Sequence, residues 1–174
     1  MRSSLVAFAS ALLLAAGGAL AQGAGPTDPQ IAHIVVTANQ VDIDAGKLAE
    51  SKGGNKEVKA FGRLMVTDHT GVNKQAVALV TKLKVKPEDN PTSESLKKGG
   101  DDNVKNLKAL KGAAFDRAYI DHEVAYHEQV LDAVDKVLVP NAKNEELKAL
   151  LVKVRPAFVA HLDRAKTMQA KLGK

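Results

Sequence analysis

Four long segments between residues 28 and 172 carry the same pattern. Apolar side chains recur at intervals of three and four, the stripe of a helix with one buried face. The second shows it most plainly: Val58, Phe61, Met65, Val72, Ala76, Leu79 and Leu83 fall on one face, and His69 falls on that face with them. The first stripe is Ile31, Ile34, Val35, Ala38, Asp42, Ala45, Leu48 and Ala49. The third is Ile120, Val124, His127, Leu131, Val134 and Leu138, led in by Phe115 and Tyr119. The fourth is Leu147, Leu151, Val154, Phe158, His161, Ala165, Met168 and Leu172. Four such faces bury most economically against one another, so the pattern predicts an all-α fold, a four-helix up-down bundle.

The boundaries follow from local chemistry. The first helix is expected over 28–51, with Thr27 or Asp28 as cap and Pro29 in the first turn. Gly53-Gly54-Asn55 separates it from a second helix over 55–85, ahead of Pro87. The third is expected over 113–138, ended by Val139-Pro140-Asn141, and the fourth over 144–172, capped by Asn144. Pro156 lies inside the fourth and removes a backbone donor, which predicts a kink. The connection over 86–112 contains KPEDNPTSES and Gly99-Gly100, and is expected to be loop-like with one or two short helices interrupted at the glycine pair.

The first 21 residues are of a different kind. Arg2 is followed by an apolar run from Leu5 to Ala16, then by small residues and Ala19-Leu20-Ala21 before Gln22. This is the layout of a cleaved secretory signal peptide, too short for a membrane span. The expected organisation is a signal peptide over 1–21, a flexible lead over 22–27 and one helical-bundle domain over 28–174. No later segment is apolar enough to cross a bilayer. Cysteine is absent, which excludes a disulfide framework, a thiolate metal site and a lipid-attachment cysteine. The mature chain reads as periplasmic, and a peripheral association with the envelope is compatible with it. Its formal charge falls from +5 to +4, because Arg2 is the only charged residue removed. With four Phe, two Tyr and no Trp there is no stacking platform, and the lysines are scattered among acids, so nucleic acid is not an expected partner.

The stripes carry the functional signal. Each of the four sends one ionisable residue inward: Asp42, His69, His127 and His161. A buried carboxyl is costly unless paired, and a buried imidazole needs partners for both nitrogens. Imidazole suits zinc, copper or iron, and a carboxylate completes such a shell. These four are therefore the candidate ligands of a divalent metal, or the lining of a small-ligand site. Asp68, next to His69, and Glu123, one turn before His127, are the candidate orienting partners. A second reading stays open, in which the same residues form a hydrogen-bonded polar layer that fixes helix register while the protein acts through its surface, as a structural or stress-related envelope protein with an envelope partner. Counted from the inter-helix turns, the four residues share a central slab of the bundle but are offset by roughly 8 Å within each helix pair. His33 and His122 fall off the stripes and are expected at the surface. Met65 and Met168 read as core filler. No Glu-x-x-His pair, G-x-S-x-G, H-E-x-x-H or phosphate-binding glycine loop is present. No nucleophile or matched acid–base pair marks the chain as an enzyme.

Three segments, FGRLMVTDHTGVNKQA, AAFDRAYIDHEVAYHEQVL and NEELKALLVKVRPAFVAHLDRA, resemble the "domain of unknown function 4142" family of exported bacterial proteins, over about residues 31–172. The resemblance implies a ferritin-like helical bundle in the periplasm or associated with the outer membrane. Its motif positions fall on Asp68, His69, Phe115, Asp116, Tyr119, His127 and His161. Where the family's first helix has an inward Glu, this chain carries Asp42. The resemblance brings no established activity.

Overall fold

The computed structural model describes residues 25–173. The expected signal peptide and residues 22–24 of the lead lie outside them. Among the described residues the chain is all-α, with five long helices and no strand: α1 (Asp28–Lys52), α2 (Lys56–Leu83), α3 (Pro91–Ala109), α4 (Gly112–Ala133) and α6 (Glu145–Leu172). α4 runs on through a π-helical stretch, Val134–Leu138, and a single turn, α5 (Val139–Asn141). The helical run thus extends three residues past the expected end at 138 and stops at Asn141, within the Val139-Pro140-Asn141 segment.

The helix ends are tied by side chains the sequence supplies locally. Asn55 accepts from the Glu57 N–H at 2.7 Å, and Asn144 accepts from Glu146 and Leu147. Two aspartates then join helices distant in sequence. Asp28, at the start of α1, accepts from the backbone N–H groups of Lys143 and Asn144 ahead of α6. Asp116, in α4, accepts from Gly54 at 2.9 Å and Asn55 at 2.8 Å in the α1–α2 turn. Each satisfies donors that a helix start leaves open.

The connection after α2 departs from the expected broken loop. Pro91–Ala109 is one uninterrupted helix, capped by Asn90, which accepts from the Ser93 N–H while the Ser93 hydroxyl accepts from the Asn90 N–H. The glycine pair does not break it, because Gly100 serves the packing: a Cβ there would lie 2.6 Å from Val41 Cγ2, so its absence lets α3 lie against α1. Gly99 faces open space. α6 likewise continues through Pro156, which is solvent-facing, as is Val152 one turn before it.

α1 packs against α2 and α3, and α4 against α6; the two groups meet through α2–α6 and α1–α4. Two apolar clusters fill the interior. One holds Ile31, Val72, Leu131, Leu151 and Phe158, the other Ala49, Phe61, Met65, Tyr119 and Met168. On α1, α2, α4 and α6 an ionisable residue lies between them: Asp42, His69, His127 and His161. The interior is thus two apolar cores with a polar layer between.

Candidate functional site

Each member of that layer is at most 3 % exposed. The expected offset between them is largely absent, and the helix bounds explain why. Asp42 lies ten residues before the end of α1 and His69 thirteen after the start of α2. His127 lies fourteen before Asn141, and His161 sixteen after Glu145. Differences of two or three residues are about 3–4.5 Å of rise, which the lean of the side chains absorbs. The three imidazoles form a nearly equilateral triangle, with ring centroids 5.7 Å (His69–His127), 5.3 Å (His69–His161) and 5.5 Å (His127–His161) apart.

Each ring is held by an oxygen on one nitrogen only. His69 Nδ1 lies 2.7 Å from Asn39 Oδ1, and Asn39 is itself oriented by donating to the Val35 carbonyl at 2.7 Å. His127 Nδ1 donates to the Glu123 backbone carbonyl at 3.0 Å. His161 Nε2 donates to Asp68 Oδ2 at 2.9 Å. An acceptor at one nitrogen places the proton there and leaves the other as a lone pair. The other nitrogens, His69 Nε2, His127 Nε2 and His161 Nδ1, are buried and have no hydrogen-bond partner. Each histidine also offers one of its two ring nitrogens to a group in which all three lie within 4.8 Å of one another. Buried polar atoms are rarely left unpaired, and three histidines so placed could hold one metal ion between them.

The carboxyls complete the layer. Asp42 Oδ2 is 3.5 Å from His69 Nε2, and Asp42, Glu123 and His127 form a second group whose ligand atoms lie within 4.8 Å. Burial raises Asp42 well above the usual carboxylate range, and the neighbouring Glu123 adds to the effect. Burial likewise pushes Glu123 up to about 8, against the pull of the Tyr119 hydroxyl and Asp42 beside it. The histidines move the other way. His69 is held well below the ordinary value, by burial first and then by His127 and His161. Burial and His161 lower His127 to about 4. Burial lowers His161 too, opposed by Asp68. Near neutral pH the rings are unprotonated, the state in which imidazole binds metal, and the carboxyl pair retains a proton that a cation would displace.

The structure reassigns the expected orienting partners. Asp68 does not serve its neighbour His69: it faces His161, across the α2–α6 contact. Glu123 holds His127 through its backbone carbonyl, while its side chain, 3.4 Å from His127 Nδ1 at Oε2, belongs to the carboxyl pair with Asp42. Sequence reasoning missed Asn39, the acceptor for His69. Its signal was available: it sits one turn before Asp42, and a buried amide on an apolar helix needs a partner. His33 pairs with the exposed Asp89 at 3.2 Å, near the surface as expected. His122 is not a surface residue. It is half-buried and stacks on Tyr126 at 5.5 Å, and burial lowers its pKa.

What the fold and the layer define is a helical protein with three imidazoles and two carboxyls enclosed between its helices. The chain belongs to the family described as Domain of unknown function (DUF4142), whose model matches residues 14–168. No curated protein and no solved structure matches the chain.

Proposed function

We propose that this is an exported protein that binds a divalent transition metal between its helices, with zinc the best fit. The ligands are His69 Nε2, His127 Nε2 and His161 Nδ1, and Asp42 is the adjacent carboxylate. Asn39, Asp68 and the Glu123 carbonyl orient the rings. The observation that carries this reading is three buried imidazoles, each with one nitrogen held and the other unpartnered, that each offer a ring nitrogen within 4.8 Å of the other two. Three imidazoles with an open fourth position are a recognised zinc arrangement. A zinc ion with ~2.0–2.1 Å bonds wants its nitrogens about 3.4 Å apart, so binding draws the rings together. The helices α1, α2, α4 and α6 are read as an up-and-down bundle of ferritin-like type, with α3 laid along its flank.

Export rests on the layout of residues 1–21, and among the described residues no helix is long and apolar enough to cross a membrane. N-terminal sequencing of the protein from a periplasmic fraction should begin at Gln22. Metal analysis of tag-free protein, followed by thermal melts with zinc, copper and iron, tests the binding. Retention of one ion per chain and a raised melting temperature support it; no retained metal and no shift with any of the three would remove it. A second reading keeps the histidines as internal struts of a protein acting through its surface. It is favoured by the stacking of His69 on Phe158 at 5.3 Å, which packs the ring as a core aromatic.

A further inference from the structure

The polar layer holds a second set of donors beside the three imidazoles. Asp42 on α1 faces Glu123 on α4, and His127 stands one turn after Glu123. The three are 3 %, 0 % and 1 % exposed in that order. Each offers one ligand atom, and these atoms lie within 4.8 Å of one another. Among the described residues neither carboxyl pairs with a lysine or an arginine. Their basic neighbours are rings: His69 Nε2 lies 3.5 Å from Asp42 Oδ2, and His127 Nδ1 lies 3.4 Å from Glu123 Oε2.

Three oxygens of the pair, Asp42 Oδ1 and Glu123 Oε1 and Oε2, are buried without a hydrogen-bond partner. Carboxyls taken out of water are costly unless something meets them, and a divalent ion between them meets both at once. The proton that the pair retains is what such an ion displaces. Because neither Glu123 oxygen is engaged, this carboxylate can bind through both. The donor set is then mostly oxygen, with one imidazole. Three imidazoles suit zinc or copper, whereas carboxylates suit harder ions. Magnesium keeps several waters and calcium takes about six to eight oxygens, which three enclosed side chains do not supply. Manganese(II) and iron(II) accept a mixed set of oxygen and imidazole donors.

We propose that Asp42, Glu123 and His127 form a second metal seat, for a harder divalent ion of the manganese(II) or iron(II) class, and that it is used in place of the three-imidazole seat rather than together with it. His127 belongs to both groups, and a neutral imidazole has one lone pair, so it serves one ion at a time. The chain thus takes one ion in either of two places, and the kind of ion decides which. Only this exclusion rests on the three-imidazole reading; the carboxyl seat itself does not.

The test uses tag-free protein stripped with a chelator, freed of it and titrated with manganese(II), the free ion being read by its electron paramagnetic resonance signal. The wild type should bind one manganese per chain and release it when zinc is added. Glu123→Gln should weaken manganese at least about tenfold, since even an outer partner of a ligand is worth that much, and should keep zinc. Asp42→Asn should weaken manganese likewise and keeps the test intact if the first variant folds poorly. His161→Leu, which touches only the imidazole group, should weaken zinc and hold manganese within about threefold of the wild type. The proposal is overturned if the wild type binds no manganese saturably, if folded Glu123→Gln and Asp42→Asn bind it as well as the wild type, if His161→Leu weakens it as much as Glu123→Gln does, or if zinc and manganese are held together. Zinc binding that survives His161→Leu undiminished would instead count against the three-imidazole seat, so the two readings fail by different results.

Discussion

His161 on α6 donates from Nε2 to Asp68 on α2, at 2.9 Å, and leaves its Nδ1 buried without a partner, in a ring 5.3 Å from that of His69 and 5.5 Å from that of His127. The two residues are 93 apart in sequence, and Asp68 is the half-exposed partner, at 38 %. The contact therefore sets the orientation of a buried ring from the edge of the protein.

Asp68→Ala removes the acceptor without opening a core cavity. Metal affinity should fall tenfold to hundredfold, the usual effect of losing a ligand's outer partner. The far-UV circular dichroism should be unchanged. Competition titration with a zinc chelator measures the change. Equal affinity in the variant would mean that Asp68 does not orient His161 for a ligand.

Replacing the histidines by leucine should separate two of them. His127→Leu discards an orphaned nitrogen, and the carbonyl it leaves belongs to the helix backbone, so metal-free stability should stay within about 1 kcal/mol or rise. His69→Leu also strands Asn39 Oδ1 in the interior and should cost about 1–3 kcal/mol. Both should lose metal binding. Denaturant melts of the metal-free variants check the order, and zinc titration checks the loss. If both fold and still bind zinc with wild-type affinity, the metal assignment fails.

The pH dependence has two limbs. Glu123, raised from 4.5 to about 8, is neutral in the folded chain where it would be ionised unfolded. Stability is therefore lost as pH rises from about 4.5 toward 8. His127, lowered from 6.5 to about 4, is charged in the unfolded chain first, so stability is lost as pH falls from 6.5 toward 4. The metal-free protein should melt highest between about pH 5 and 6.5. Glu123→Gln should flatten the alkaline limb and gain on the order of a few kcal/mol at pH 8. Bound metal should reverse that limb, because it favours the ionised carboxyls. Thermal melts across pH 4–9, with and without zinc, show whether the stabilisation by metal grows as pH rises.

The contact between α1 and α2 depends on a pair of glycines. A Cβ on Gly62 would sit 2.6 Å from the Gly46 carbonyl oxygen and 2.8 Å from Ala49 Cβ. Gly62→Ala forces backbone apart and should cost about 1–3 kcal/mol. Gly71, on the same helix, has nothing within 4 Å of its Cβ position. Gly71→Ala should therefore stabilise, by about 0.5–1 kcal/mol. Urea denaturation of the two variants reads both signs.

The four stripes and the inward placement of Asp42, His69, His127 and His161 were legible because helical periodicity is a local property of the chain. What was not legible depends on distance. Gly99-Gly100 reads as a break until Val41 is seen against it. Asp68 reads as a partner for its neighbour His69, since nothing one-dimensional brings α6 beside it. The depth of each residue depended on where the helices start and stop, and a shift of a few residues in those ends was the difference between a scattered slab and a closed triangle. Asn39 was hidden for a related reason: its partner lies on another helix, 30 residues on.

The most direct measurement is zinc K-edge X-ray absorption on tag-free, zinc-loaded protein after exhaustive dialysis. The predicted spectrum has about three imidazole nitrogens and a light oxygen donor at roughly 2.0–2.1 Å, with imidazole scattering lost in a variant carrying His69→Leu, His127→Leu and His161→Leu. A dialysed protein without zinc, or a spectrum of oxygen donors alone, would contradict a metal held by these three rings.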